Sequence, residues 1–268
     1  MKALTKDLID NPELWRLSLL IGNGGIDVFA HPVVGEGSVI CEHICFDASL
    51  SSDASAIEDV VYANPLLLMP FRKVDIIVST AMAAVVPADV QPDVFGKLLN
   101  TDGNTLIFES PVDDREKLVF ALDRGVANFI RRTYDGAVPV HTLSVLSRYF
   151  RLKGGHGNAS RMFVNLGVDS LEIIVYNRLG LAAARHIDAV TTDECAYWAV
   201  ALFRQCGLDT EYDEIIISGN SERRHSLMPL LSKFVNNVMP AIFPSAAYHG
   251  SAIAGKASFP LVIVPLCE

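Results

Sequence analysis

The sequence is short of charge. Only 20% of its 268 residues are Asp, Glu, Lys or Arg, and no block of like charge interrupts it. A disordered, solvating chain is excluded on that ground. Basic residues are scarcer still, 22 against 31 acidic, for a net charge of −9. The densest basic spots, Arg131–Arg132 and Arg223–Arg224, are only pairs, so the chain lacks a nucleic-acid footprint. Long apolar runs are missing as well. The most membrane-like stretch, Val74–Val90, carries Asp75, Ser79, Thr80, Pro87 and Asp89, whereas a spanning helix takes about 20 apolar residues. Met1–Trp15 has no apolar core before a small-residue cleavage site. Five cysteines are an odd set for a disulfide framework. These absences predict a soluble, cytoplasmic protein with reduced thiols and no direct membrane insertion. Gly-x-Ser-x-Gly and His-Glu-x-x-His are also absent, which removes the hydrolase classes built on them.

Half of the residues are apolar, and they fall in short β-branched runs alternating with amphipathic stretches, an α/β pattern. Strands are predicted at Arg16–Ile21, Ile26–His31, Val39–Phe46, Val74–Ser79, Thr105–Glu109, Lys117–Leu122, Met162–Leu166, Leu171–Tyr176, Leu181–Ile187 and Glu214–Ser218. Helices are predicted at Asp53–Ala63, Pro92–Leu99, Gly125–Tyr134, Thr142–Phe150, Thr192–Cys206 and Leu227–Val238, with Pro229 in the first turn of the last. Glycines cluster in Lys153–Ala159, which reads as a linker.

The second half repeats the first. Arg16–Phe29 aligns without gaps on Arg161–Ile174, at a constant offset of 145, with Gly22 on Gly167. Each segment is an apolar strand, a glycine turn and a second strand, as in a hairpin. A third strand follows in both copies. Then comes a helix with a capping-box start, Ser55-x-x-Glu58 in one and Thr191-x-x-Glu194 in the other. A buried strand closes each unit, with Val74–Ser79 matching Asp213–Ser218. Five elements in the same order define a duplication.

Three meandering strands, a helix and a further strand resemble the ribonuclease H-like unit. Two such units resemble the actin-like ATPase fold, two lobes around a central cleft, and the likeness runs from Arg16 to about Val238. More closely, the chain is similar to an uncharacterised Bacteroidetes family of domains of unknown function with this fold. The resemblance implies a first lobe over residues 1–141, with an inserted subdomain at about 105–134 like that of pilus- and division-associated relatives. A connecting helix and linker would follow at 142–158, and a second lobe at 159–268.

In that superfamily two hairpin turns hold nucleotide phosphates, and an aspartate in each organises Mg²⁺. The resemblance places Gly22, Asn23 and Gly24 at the first turn, and Asn165, Gly167, Asp169 and Ser170 at the second. Gly219 and Asn220 fall where adenosine is held. Leu20 and Asn165 stand where the aspartates belong, and neither brings charge to offset Mg²⁺ or a triphosphate. No catalytic residue stands out, although His141 falls near where a water-activating group would lie. Cys41, His43 and Cys45 share one strand face but have no partner pair at zinc spacing, so no metal site is expected. Gly35–Gly37 and Gly154–Gly157 read as turn and linker.

The expectation is a degenerate, non-hydrolysing actin-like protein serving as an interaction or assembly module, with a protein partner or further copies of itself. Two alternatives stay open. One is an ATP-binding protein, weak ATPase or ATP-dependent phosphotransferase using ATP and Mg²⁺ in the cleft. The other is a metal-free small-molecule binder.

Overall fold

The computed structural model describes residues 3–22, 24–34, 38–47, 53–91, 94–101, 103–154 and 160–267. The first sheet is built from β1 (Trp15–Gly22), β2 (Gly25–Pro32), β3 (Ile40–Cys45), β4 (Lys73–Val78) and β8 (Val140–His141), in the order β3-β2-β1-β4-β8. The second contains β9 (Arg161–Leu166), β10 (Ser170–Asn177), β11 (Gly180–Asp188), β12 (Glu214–Gly219) and β13 (Asn237–Pro240), in the order β11-β10-β9-β12-β13. The two orders are identical. Each sheet starts as an antiparallel meander and continues through parallel pairs, β1 with β4 then β8, and β9 with β12 then β13. The repeat seen at five elements therefore includes a fifth strand in each copy, too short to register as sequence periodicity.

On one face of the first sheet lie α1 (Asp53–Ala63) and α3 (Arg124–Thr133); on one face of the second lie α5 (Thr192–Gln205) and α6 (Ser221–Leu231). Thr191 and Glu194 form the expected capping box of α5, each side chain bonding the other's backbone. Ser55 does not do the same for α1, because α1 already runs from Asp53; Glu58 instead pairs with Arg132 of α3 at 2.9 Å. The last predicted helix is also displaced. α6 starts at Ser221 under an Asn220 cap, contains Pro229 in its interior, and ends before Val238, which belongs to β13.

Between α1 and α3 the chain forms a three-stranded sheet, β5-β7-β6, from β5 (Ala83–Pro87), β6 (Thr105–Pro111) and β7 (Glu116–Asp123). With the single-turn α2 (Phe95–Leu98) it encloses a small core of its own around Phe95 and Val119. The inserted sheet thus begins at Ala83 rather than near 105, while α3 packs on α1 as part of the first lobe.

The opposite faces of the two main sheets share one core. Helix α4 (Thr142–Gly154) lies on β10 and β11, and α7 (Phe259–Ile263) lies on β1 and β2. Phe150 of α4 stacks on Phe163 of β9, with centroids 4.0 Å apart, and on Phe259 of α7 at 5.8 Å. Offset stacks of this kind add about 0.5–1.5 kcal/mol per pair beyond their area. Tyr248 and α7 lie in this shared core, with α7 against β1 and β2 of the first sheet. Residues 155–159 of the glycine linker, and Gly35–Gly37, lie outside the described residues.

Candidate functional site

Pairing register creates a polar row at the junction of the lobes. In the second sheet, Ile216, Phe163, Ile174 and Ala184 sit side by side on four strands, facing the shared core. Two residues along, on the same face, the side chains turn polar: Ser218, Asn165, Glu172 and His186. Ser218 Oγ donates to Asn165 Oδ1 at 3.0 Å, and Asn165 Nδ2 donates to Glu172 Oε2 at 2.9 Å. His186 Nδ1 lies 3.1 Å from Glu172 Oε1. Ser79, just past β4 in the first lobe, completes the row by donating to Glu172 Oε1 at 3.2 Å.

Glu172 and His186 side chains are both 2% exposed, so their charges survive only by pairing. Burial alone would raise the carboxyl, yet hydrogen bonding and charge from His186, with Asn165, hold Glu172 below its ordinary value. Burial would likewise lower His186, but the same carboxylate, helped by Asp188, raises it. The neighbouring His141 behaves oppositely. Burial lowers it to about 4; its Nδ1 accepts from Leu143 N at 3.1 Å and its Nε2 donates to Thr80 O at 2.9 Å. The two histidines are shifted in opposite directions, with rings 6.1 Å apart.

The second hairpin turn is engaged from within. Gly167 N donates to Ser170 O at 3.0 Å. The Arg223 guanidinium of α6 donates to the carbonyls of Gly167 and Val168 at 2.7 Å each, and to Ala189 O at 2.5 Å. Gly219, at φ +88°, presses on this turn, and a Cβ there would lie 2.2 Å from Leu166 O. Asn220 caps α6 by accepting from Glu222 N and Arg223 N at 3.0 and 3.1 Å. Asn165, Gly167, Ser170, Gly219 and Asn220 are therefore brought together, while the Asp169 side chain is exposed.

The first turn belongs to a different setting. Gly22 lines a cavity of ≈ 290 Å³ between the first lobe and the inserted sheet, with Ser79, Thr80, Asn104 and Asp123. Asn23 lies outside the described residues, and an added Cβ at Gly22 or Gly24 meets nothing within 4 Å. The glycine that sterics demand is Gly25, where a Cβ would fall 2.3 Å from Ile44 O. Neither Gly22 nor Gly167 has the positive φ common in glycine turns. Leu20 faces Asp27 across the hairpin, and Asp27 pairs with His43 at 2.5 Å and accepts from Ser258.

This geometry does not fit a Mg²⁺-bound triphosphate. Position 20 offers no ligand atom, Asn165 is spent on Glu172 and Ser218, and the second turn directs carbonyls at a guanidinium. Among the described residues no group of three His, Cys, Asp or Glu is arranged to hold a metal. Cys41 is raised to about 11 by burial, and His43 is turned to Asp27. Glu172, His186, Ser79 and Ser218 escaped the sequence reading. Glu172 could have been found as the residue one repeat (145) after Asp27.

The sheet orders and the paired lobes define a protein with an actin-like ATPase fold. The chain is similar to a protein of that fold and unknown function from Bacteroides thetaiotaomicron VPI-5482. The two are 19% identical, with 87% of this chain and 93% of that one covered and a TM-score of 0.77. It is also similar to the PilM-PilN type IV pilus biogenesis complex, 14% identical, covering 96% and 98% of the chains, with a TM-score of 0.57. Over residues 6–238 the chain matches a family described as a protein of unknown function (DUF3822), and it belongs to that family. No curated protein matches it. No helix among the described residues is long and apolar enough to cross a membrane.

Proposed function

We propose that this chain is a two-lobed actin-like module that does not turn over nucleotide and acts by holding a protein partner or a further copy of itself. The observation carrying this reading is the row Ser218–Asn165–Glu172–His186 with Ser79. Asn165 stands where the resemblance puts a metal-organising aspartate, and the row bonds within itself and across to Ser79 of the first lobe. A buried carboxylate next to the second turn also repels a triphosphate, while Arg223 spends its charge on backbone carbonyls. An interaction role is in keeping with the similarity to the PilM-PilN complex.

The metal-free small-molecule reading draws on the cavity beside Gly22, at the carboxyl ends of parallel β1 and β4, where open α/β sheets bind ligands. Thermal unfolding with and without Mg-ATP, run beside light scattering, separates these readings. Ligand at a hundredfold over its Kd adds about 2.7 kcal/mol, a rise of roughly 5 °C at this size. The proposal expects no rise with ATP, ADP or GTP; a rise followed by phosphate release would overturn it.

A further inference from the structure

At the amino-terminal end of β4, away from the hairpin turns, lies a second cavity of ≈ 240 Å³, closed by β6, α4 and the segment ending at Cys267. Its polar lining is unbalanced in two ways. Ser110 is 2% exposed, and its hydroxyl has no hydrogen-bond partner among the described residues. Ser144 beside it is satisfied, donating to Pro111 O at 3.1 Å. Buried hydroxyls are rarely left unpaired, so the site calls for an acceptor or donor that the described residues do not supply.

The second imbalance is charge. Arg148 lines the cavity and donates to Cys267 O, and among the described residues no carboxylate lies within 4 Å of it. Its neighbour Arg151, one turn along α4, is paired with Asp113 at 2.9 Å. Asp75 also lines the wall, but Arg16 already holds it at 2.5 and 2.9 Å, with Lys73 at 3.9 Å. The rest of the wall is mostly apolar, Val140, Val145 and Val264 with Ile76 and Val138 among it, and Lys73 also lines it.

We infer that this cavity holds a small organic monoanion, its carboxylate on Arg148 and Ser110 and its apolar body against the valines. Guanidinium pairs carboxylate through two parallel hydrogen bonds, and a hydroxyl supplies a third. Asp75 on the wall disfavours a dianion such as phosphate. A 150 Å³ cavity takes benzene, so this one takes about ten non-hydrogen atoms. A ligand of that size binds with a Kd on the order of 1 mM or tighter. The site is independent of the nucleotide question, since neither hairpin turn contributes to it.

The test is calorimetric titration of the full chain with benzoate, its neutral isostere benzamide, and inorganic phosphate. Benzoate should bind saturably and at least tenfold more tightly than either comparator. Arg148→Met should abolish binding. Ser110→Ala should weaken it about tenfold, the loss of one hydrogen bond to a charged group. Free Ser110→Ala should melt no lower than wild type, because an unmet hydroxyl is being removed; this variant keeps the test valid if Arg148→Met fails to fold. No saturable benzoate binding up to about 10 mM would leave a water-filled cavity and overturn the inference. Benzamide or phosphate binding as tightly as benzoate would do the same, as would full binding in Ser110→Ala or a lowered melting point for that variant.

Discussion

Glu172 and His186 face each other across two antiparallel strands, 3.1 Å apart, at the register that Asp27 and His43 occupy in the first lobe. The acid–histidine pair is part of what was duplicated. In the first lobe it is partly exposed and meets Ser258; in the second it is buried and meets Ser79 of the opposite lobe.

Breaking this pair on one side should be worse than removing it. Glu172→Gln leaves a buried imidazole without its counter-charge and should cost about 3–5 kcal/mol. Glu172→Leu with His186→Leu should cost clearly less than either single change. Urea unfolding of the four proteins at pH 6 measures the coupling.

The two histidines should give stability opposite slopes with pH. His186 has a raised folded pKa, so its contribution is full below pH 6.5 and is lost as pH rises through that raised value. Glu172 is lowered, so its contribution is full above about 4.5 and is lost as pH falls through the depressed value. His141 must stay neutral, so its contribution is full above 6.5 and declines toward about 4. That decline is on the order of 3 kcal/mol. Chemical denaturation between pH 4 and 9 should show His141→Gln flattening the acid limb and His186→Gln flattening the alkaline limb.

Two glycines of the expected nucleotide site, one ending β12 and one ending β1, should differ in tolerance. Gly219→Ala combines φ +88° with a 2.2 Å approach to Leu166 O and should destabilise by about 3 kcal/mol or more. Gly22→Ala has open space and no positive φ, so it should be neutral or raise stability by up to about 1 kcal/mol. Thermal unfolding distinguishes them directly.

Arg223→Lys should not be conservative. One ammonium cannot reach the carbonyls of Gly167, Val168 and Ala189 together, so the change should cost about 2 kcal/mol. Hydrogen exchange should quicken at the β9–β10 turn first.

What was legible in the sequence follows from range. Gly22 and Gly167, with the strands around them, announce themselves through local alternation and a gapless repeat. The fifth strands do not, because β8 is two residues long and β13 ends in Pro240. Pro229 suggested a helix start, yet Asn220 with its two accepted amides decides where α6 begins. At the site, the missing carboxylates at Leu20 and Asn165 were visible, whereas what replaces them was not. Glu172 is hidden in an apolar strand, and its partner Ser79 is 93 residues away. Only pairing register and lobe docking bring them together.

The row from Ser218 to His186 Nδ1 and Ser79 bonds within itself, and the reading proposed for it is a junction that holds no metal-bound nucleotide. Calorimetric titration of the full chain with Mg-ATP at pH 7 tests it most directly. No saturable heat is expected up to about 1 mM. Saturable, Mg²⁺-dependent binding with a Kd below about 100 μM that is lost in Ser170→Ala would contradict it.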